Sequence, residues 1–170
     1  MEANYARSIF VTGIRNAHAM EKQALSILNP QLTRIEHYPE VADRIEAHIR
    51  ETEGQITRLE DILHGLSETN STLKDVGLSI SGSMAAMGHT MANDEILKNS
   101  FANFAFENFE IAAYRSLLLM GENGGFTSAV SALNENLREE QAMAAWLEEH
   151  LPTVTSRFIS LSEAGEKAKV

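Results

Sequence analysis

The chain has 170 residues, 44% hydrophobic and 22% charged, with three Pro, ten Gly and no Cys. That length supports one real core rather than two, and the lack of Cys excludes disulfides and thiolate–zinc chemistry. A formal charge of −10 repels nucleic acid and anionic membrane, although carboxylates can instead hold cations.

The N-terminal "MEANYARSIF" has no basic leader followed by an apolar run, and no stretch approaches a membrane span, so a cytoplasmic protein is expected. The first helical pattern runs from about Tyr5 to Ile35, with Phe10, Ile14, Ala17, Glu21, Ala24 and Leu28 on one stripe. Pro30 predicts a kink or an early end. The second starts at Pro39 and closes near Gly65, with Val41, Ile45, His48, Thr52, Gln55, Leu59, Ile62 and Leu66 on its stripe. A mixed stretch follows, with room for one short helix that would hold Met84, Met87 and Met91.

The third pattern spans about Asp94 to Met120 and stops at "GENGG". The fourth runs from about Thr127 to His150, with Val130, Leu133, Leu137, Glu140, Ala144, Leu147 and Leu151 on its stripe and Pro152 ending it. Residues 1–152 are read as one bundle and 153–170 as a polar, frayed tail. Short, long, short links make neighbours of helices one and two and of three and four. They predict an all-α, ferritin-like four-helix bundle with helices about 35–45 Å long.

Each stripe is broken by a polar group near its midpoint: Glu21; then His48, Thr52 and Gln55, with Glu51 beside them; then Glu107 and Glu110; then Glu140. In an antiparallel bundle those midpoints share one level. Several carboxylates do not all ionise in a dry core without a cation, which points to two hard ions held by oxygen ligands and a His. The expected ligands are Glu21, His48, Glu51, Glu107, Glu110 and Glu140, supported from behind by Thr52, Gln55 and Tyr114.

Each residue also has a plainer reading. A lone Glu on an apolar stripe is ordinarily snorkelling or ion-paired, and Lys22 or Arg115 is available to Glu21. His48 alone reads as a satisfied core histidine. His18 is expected at the surface, and His37, His64, His89 and His150 at helix ends or in the crossover. Phosphate-loop and nucleophile motifs are missing.

"NAHAMEKQALSIL", "HYPEVADRIEAHIRETEGQITRLEDIL", "DEILKNSFANFAFENFEIAAYRSLL" and "NENLREEQAMAAWLEEHLP" resemble the ferritin-like stress-protein family of unknown function typified by the enterobacterial proteins YciE and YciF, the YciE-like branch in particular. The resemblance follows residues 8 to 158 and implies a ferritin-like bundle with an extra short crossover helix, commonly a dimer, and bacterial expression under stress. It implies no established reaction. The general ferritin-like site takes one Glu from each of two helices and Glu-x-x-His from the other two. Glu21 and Glu107 match the single positions. Glu51 matches the third Glu, but Gly54 stands where His belongs, with His48 in reversed order; Glu140 matches the fourth, followed by Met143. Glu110 is an additional carboxylate. A site so rich in carboxylate shifts the expected metal from iron toward manganese or a structural ion.

Three functions follow from these residues. One is a protein binding two Fe or Mn ions, with peroxide or metal redox chemistry. Another is a structural or partner-binding stress protein without catalysis. The third is a regulatory module using a Met/Gly/Ala surface at residues 82–92.

Overall fold

The computed structural model describes residues 2–67 and 92–170. Among them are four helices and no strand: α1 Glu2–Leu32, α2 Pro39–Gly65, α3 Glu95–Gly124 and α4 Thr127–Glu163. None is long and apolar enough to cross a membrane. The short crossover helix, Met84, Met87, Met91, His89 and all of the surface at 82–92 except residue 92 fall outside the described residues.

Each helix forms for the reason its sequence offers. Pro39 starts α2 at a position where the missing N–H costs nothing. Gly125, at φ +77°, ends α3 in the left-handed conformation that a glycine adopts without strain. Helix α3 runs a turn past Met120, and in that turn Gly121 lets the Phe10 ring close in: a Cβ there would lie 3.4 Å from it. Phe126 then stacks on Phe10, with ring centroids 4.6 Å apart.

Side-chain pairs fix the topology. His18 meets Glu60 at 2.9 Å, so α1 and α2 run antiparallel. Gln31 and Asn103 exchange two amide hydrogen bonds, at 3.2 and 2.8 Å, while Gly13 at the other end of α1 faces Leu117. Helices α1 and α3 are therefore antiparallel as well. Helix α2 ends where Arg7 caps the Leu66 carbonyl, and α3 begins where Arg34 pairs with Glu95 at 2.8 Å. Those points lie at opposite ends of the bundle, so the intervening link joins opposite ends, as a ferritin-like bundle requires.

The two prolines differ. Helix α1 stops at Leu32, two residues past Pro30 and short of the expected Ile35. Pro152, contrary to expectation, does not end α4, which continues to Glu163. Its ring sits on the exposed face, where water can satisfy the carbonyl left free, and Val154, Phe158 and Leu161 carry the apolar stripe past it.

The frayed tail is not seen either. Ala168 and Val170 are buried, and three carbonyls of the tail are used: Ala168 accepts from the Tyr38 hydroxyl at 2.5 Å, Lys169 from the Ile96 N–H, and Val170 from the His37 N–H. Lys169 also lies 3.6 Å from the buried Glu95 carboxylate. The tail thus straps the α1–α2 turn to the start of α3. Tyr38→Phe removes one buried hydrogen bond and should cost about 1 kcal/mol, or about 2–4 °C in Tm, read by thermal denaturation. An unchanged Tm would show that the strap contributes nothing to stability.

Candidate metal centre

Helical periodicity places one polar cluster at mid-bundle. Glu21, His48, Thr52, Gln55, Glu107, Glu110, Tyr114 and Glu140 are all buried, each at 1% exposure or less. One ligand atom from each of His48, Glu107, Glu110 and Glu140 falls within 4.8 Å of the others. His48 Nε2 lies 3.2 Å from Glu107 Oε2 and 3.6 Å from Glu140 Oε2, close enough for ion pairing but without hydrogen-bond alignment.

Around these atoms, neutral and charged groups hold the outer edges. Gln55 Nε2 donates to Glu140 Oε1, and the Tyr114 hydroxyl donates to Glu21 Oε1 at 2.5 Å. Of the expected ligands, Glu21 and Glu51 are not among these four converging atoms. Glu51 lies behind His48. Its Oε2 accepts from His48 Nδ1 at 2.8 Å and from Arg44 at 3.0 Å, behind the ring. Such a carboxylate fixes the imidazole's orientation and leaves Nε2 for the cluster. Lys22 and Arg115 are exposed, and the partner of Glu21 is Tyr114 instead. His18 is buried against Glu60 rather than solvated.

What remains is a set of inward atoms with nothing to bond. Glu21 Oε2, His48 Nε2, Thr52 Oγ1, Gln55 Oε1, Glu107 Oε2, Glu140 Oε2 and both oxygens of Glu110 are buried without a hydrogen-bond partner. An unsatisfied buried polar atom costs about 1–3 kcal/mol, and more when charged. A core selected only for stability does not collect eight of them within one slab. The residues fit a hard cation: oxygen donors in excess, one imidazole, and unused lone pairs facing one another.

Electrostatics agree. Burial raises the carboxyl of Glu21 to about 8, despite the Tyr114 hydrogen bond and His48, with Glu107 adding repulsion. Burial also lifts Glu110 and Glu140 well above the carboxylate range, reinforced by Glu21 and by their other carboxyl neighbours. His48 moves the other way from an ordinary buried imidazole. Desolvation opposes its charge, but Glu107, Glu51 and Glu140 outweigh it and raise it to about 10. Without metal the cluster therefore holds protons at neutral pH.

Sequence reasoning missed Asn136 and Arg58. Asn136 is fully buried and donates to the Tyr114 oxygen at 2.9 Å; Arg58 reaches it from α2 at 2.5 Å. The signal for Asn136 was its place three residues after Leu133 and four before Glu140. Elsewhere, a groove of about 470 Å³ lies between α1 and α3, lined by Gly13, Ala17, Met20, Phe109, Leu117 and Met120 among others, with no ionisable side chain.

The raised groups fix the sign of a pH effect. Glu21 and His48 both hold protons more tightly folded than unfolded, so their contribution is fully present below about pH 4.5 and 6.5 and is lost as pH rises toward about 8 and 10. Metal-free protein should melt several degrees higher at pH 6 than at pH 8.5, measured in chelator. The opposite order would show that the cluster is not holding protons.

The family described as Domain of unknown function (DUF892) matches residues 5–160. Protein YciF of Escherichia coli (strain K12) is 27% identical over 150 residues, covering 84% of this chain and 87% of its own. The crystal structure of that protein, titled a stress protein, superposes with a TM-score of 0.72 at 25% identity, over 86% of this chain and 94% of the other. A Xanthomonas campestris pv. campestris protein superposes with a TM-score of 0.78 at 30% identity, over 94% of this chain and 99% of the other. A Rhodopseudomonas palustris protein titled a putative structural protein shares the fold, with a TM-score of 0.65 at 22% identity, over 84% and 92% of the two chains. The helical bundle and a match across nearly its whole length make this chain a member of the DUF892 family, akin to the stress protein YciF.

Proposed function

We propose that this chain is a bacterial stress-associated protein that binds two Fe or Mn ions in the bundle core. Glu110 carries the reading: its carboxylate is fully buried, neither oxygen meets an amide, hydroxyl or cationic donor, and the groups acting on it are the carboxyls of Glu21, Glu140 and Glu107, of which Glu140 is near enough to share a proton. Protonation relieves that repulsion, and a multivalent cation relieves it better.

Glu107, Glu110 and Glu140 with His48 Nε2 would hold the ions, Glu21 would complete the set through Oε2, and Glu51 would orient His48 from behind. A bound Fe or Mn would supply one-electron redox chemistry toward peroxide. The chain's own part is to place lone pairs inward, keep bulk water out and give up its protons as metal enters.

The test is metal content after anaerobic Fe(II) or Mn(II) loading, read by elemental analysis. Close to two ions per chain are expected, with affinity rising as pH rises because metal displaces protons. Glu107→Ala should abolish uptake at little cost to the fold. Glu110→Met should abolish uptake while raising the metal-free Tm, because it removes an unpaired buried carboxyl without emptying the space. Wild-type protein that stays metal-free, or a Glu110→Met variant less stable than wild type without metal, would sink the reading.

A role in binding another protein has its own support. Phe101 and Phe109 are each 53% exposed and Leu119 is 59% exposed, all on α3. Apolar side chains repeated along one exposed helix favour an interface, and a homodimer is the simplest. Sedimentation should give twice the 18.8 kDa chain mass, with Phe109→Glu shifting it to one. A monomeric wild type would remove this reading and leave the metal site untouched.

A further inference from the structure

Helix α2 sends Arg58 across to α4, where its side chain is 21% exposed. Nη1 pairs with Glu135 at 2.9 Å, Nη2 with Glu139, and Nε donates to Asn136 Oδ1 at 2.5 Å. Asn136 Nδ2 donates to the Tyr114 oxygen at 2.9 Å, and the Tyr114 hydroxyl donates to Glu21 Oε1 at 2.5 Å. The chain of bonds visits all four helices and ends on a carboxylate of the cluster.

Its direction is fixed at the outer end. A guanidinium has only donors, so the amide of Asn136 must turn its oxygen toward Arg58 and its NH₂ toward Tyr114. The Tyr114 oxygen then accepts, and its single proton can go only to Glu21 Oε1. That oxygen is engaged, while Oε2 stays buried without a partner. Glu110 is the contrast, with both oxygens open.

We propose that Arg58, acting through Asn136 and Tyr114, is a positioning residue that restricts Glu21 to one-oxygen metal binding through Oε2. This rests on the metal reading above. Glu21 is then the fixed end of the site, and Glu110 the carboxylate free to chelate or bridge. Asn136 sits where a wrongly oriented amide would reverse every bond downstream, which is why an arginine, with no acceptor, sets it from the surface.

The experiment compares wild type, Asn136→Asp and Tyr114→Phe in the full chain by Mn(II) titration calorimetry and by metal-bound minus metal-free infrared difference spectra. Asn136→Asp keeps a partner for Arg58 but offers Tyr114 an acceptor, drawing its proton away from Glu21. Tyr114→Phe removes the donor and keeps the ring. Both should bind Mn(II) about tenfold or more weakly. Both should also move a carboxylate from the wide stretch separation of one-oxygen binding to the narrow one of two-oxygen binding, which a purely structural role would leave unmoved.

Variants matching wild type in affinity and spectrum would overturn the proposal. Wild type that binds no Mn(II) would overturn the metal reading and this inference with it. Should Asn136→Asp fail to fold, Tyr114→Phe, which loses one oxygen, decides alone.

Discussion

Everything in this bundle is arranged around the cost of holding His48, Glu21, Glu107, Glu110 and Glu140 in one water-poor slab. Like charges in a medium of low dielectric repel strongly, and burial alone discourages each from ionising. The metal-free protein meets the problem with protons: the imidazole is charged, and carboxyls stay neutral above their ordinary range. Apolar packing above and below must offset what remains. Phe10, Ile14, Leu59, Leu63, Leu133 and Met143, each at 2% exposure or less, form that packing. The Gln31–Asn103 pair and the Phe10–Phe126 stack hold the α1–α3 register on either side of the slab.

The polar groups around the cluster follow one pattern. Tyr114 takes one oxygen of Glu21, Gln55 takes one oxygen of Glu140, and Glu51 takes the Nδ1 side of His48. In each case the outward atom is bonded and the inward atom is left open. Random polar contamination of a core would leave orphans facing any direction. Eight of the nine such atoms among the described residues belong to this cluster, Glu95 Oε2 being the other, and that concentration supports the metal reading proposed above.

Periodicity made much of this legible. Glu21, His48, Thr52, Gln55, Glu107, Glu110 and Glu140 interrupt apolar stripes, and burial along a helix follows from spacing alone. What spacing could not reveal was which atoms of neighbouring helices meet. The expected α4 stripe stepped from Leu133 to Leu137 and from Glu140 to Ala144, so the buried Asn136 between them went unseen. Nothing in the spacing marked Arg58, because its reach depends on helix separation. Glu51 read as a ligand because its position relative to His48 Nδ1 is set by ring orientation. Beyond Pro152, the polar tail hid Val154, Phe158 and Leu161, and its strap is made by backbone carbonyls that carry no side-chain signature.

Gly54 and Met143 occupy the positions where a ferritin-like site would place its two histidines. A Cβ on Gly54 would lie 3.6 Å from the Arg58 Nη1 and 3.9 Å from its Cζ, an ordinary contact, so Arg58 passes beside that position on its way to Asn136. Met143, wholly buried, seals the equivalent place on α4 with an apolar side chain. The two positions that lack imidazoles thus belong to a centre built differently: one histidine backed by Glu51, one carboxylate tethered from the surface, and one, Glu110, with both oxygens left open.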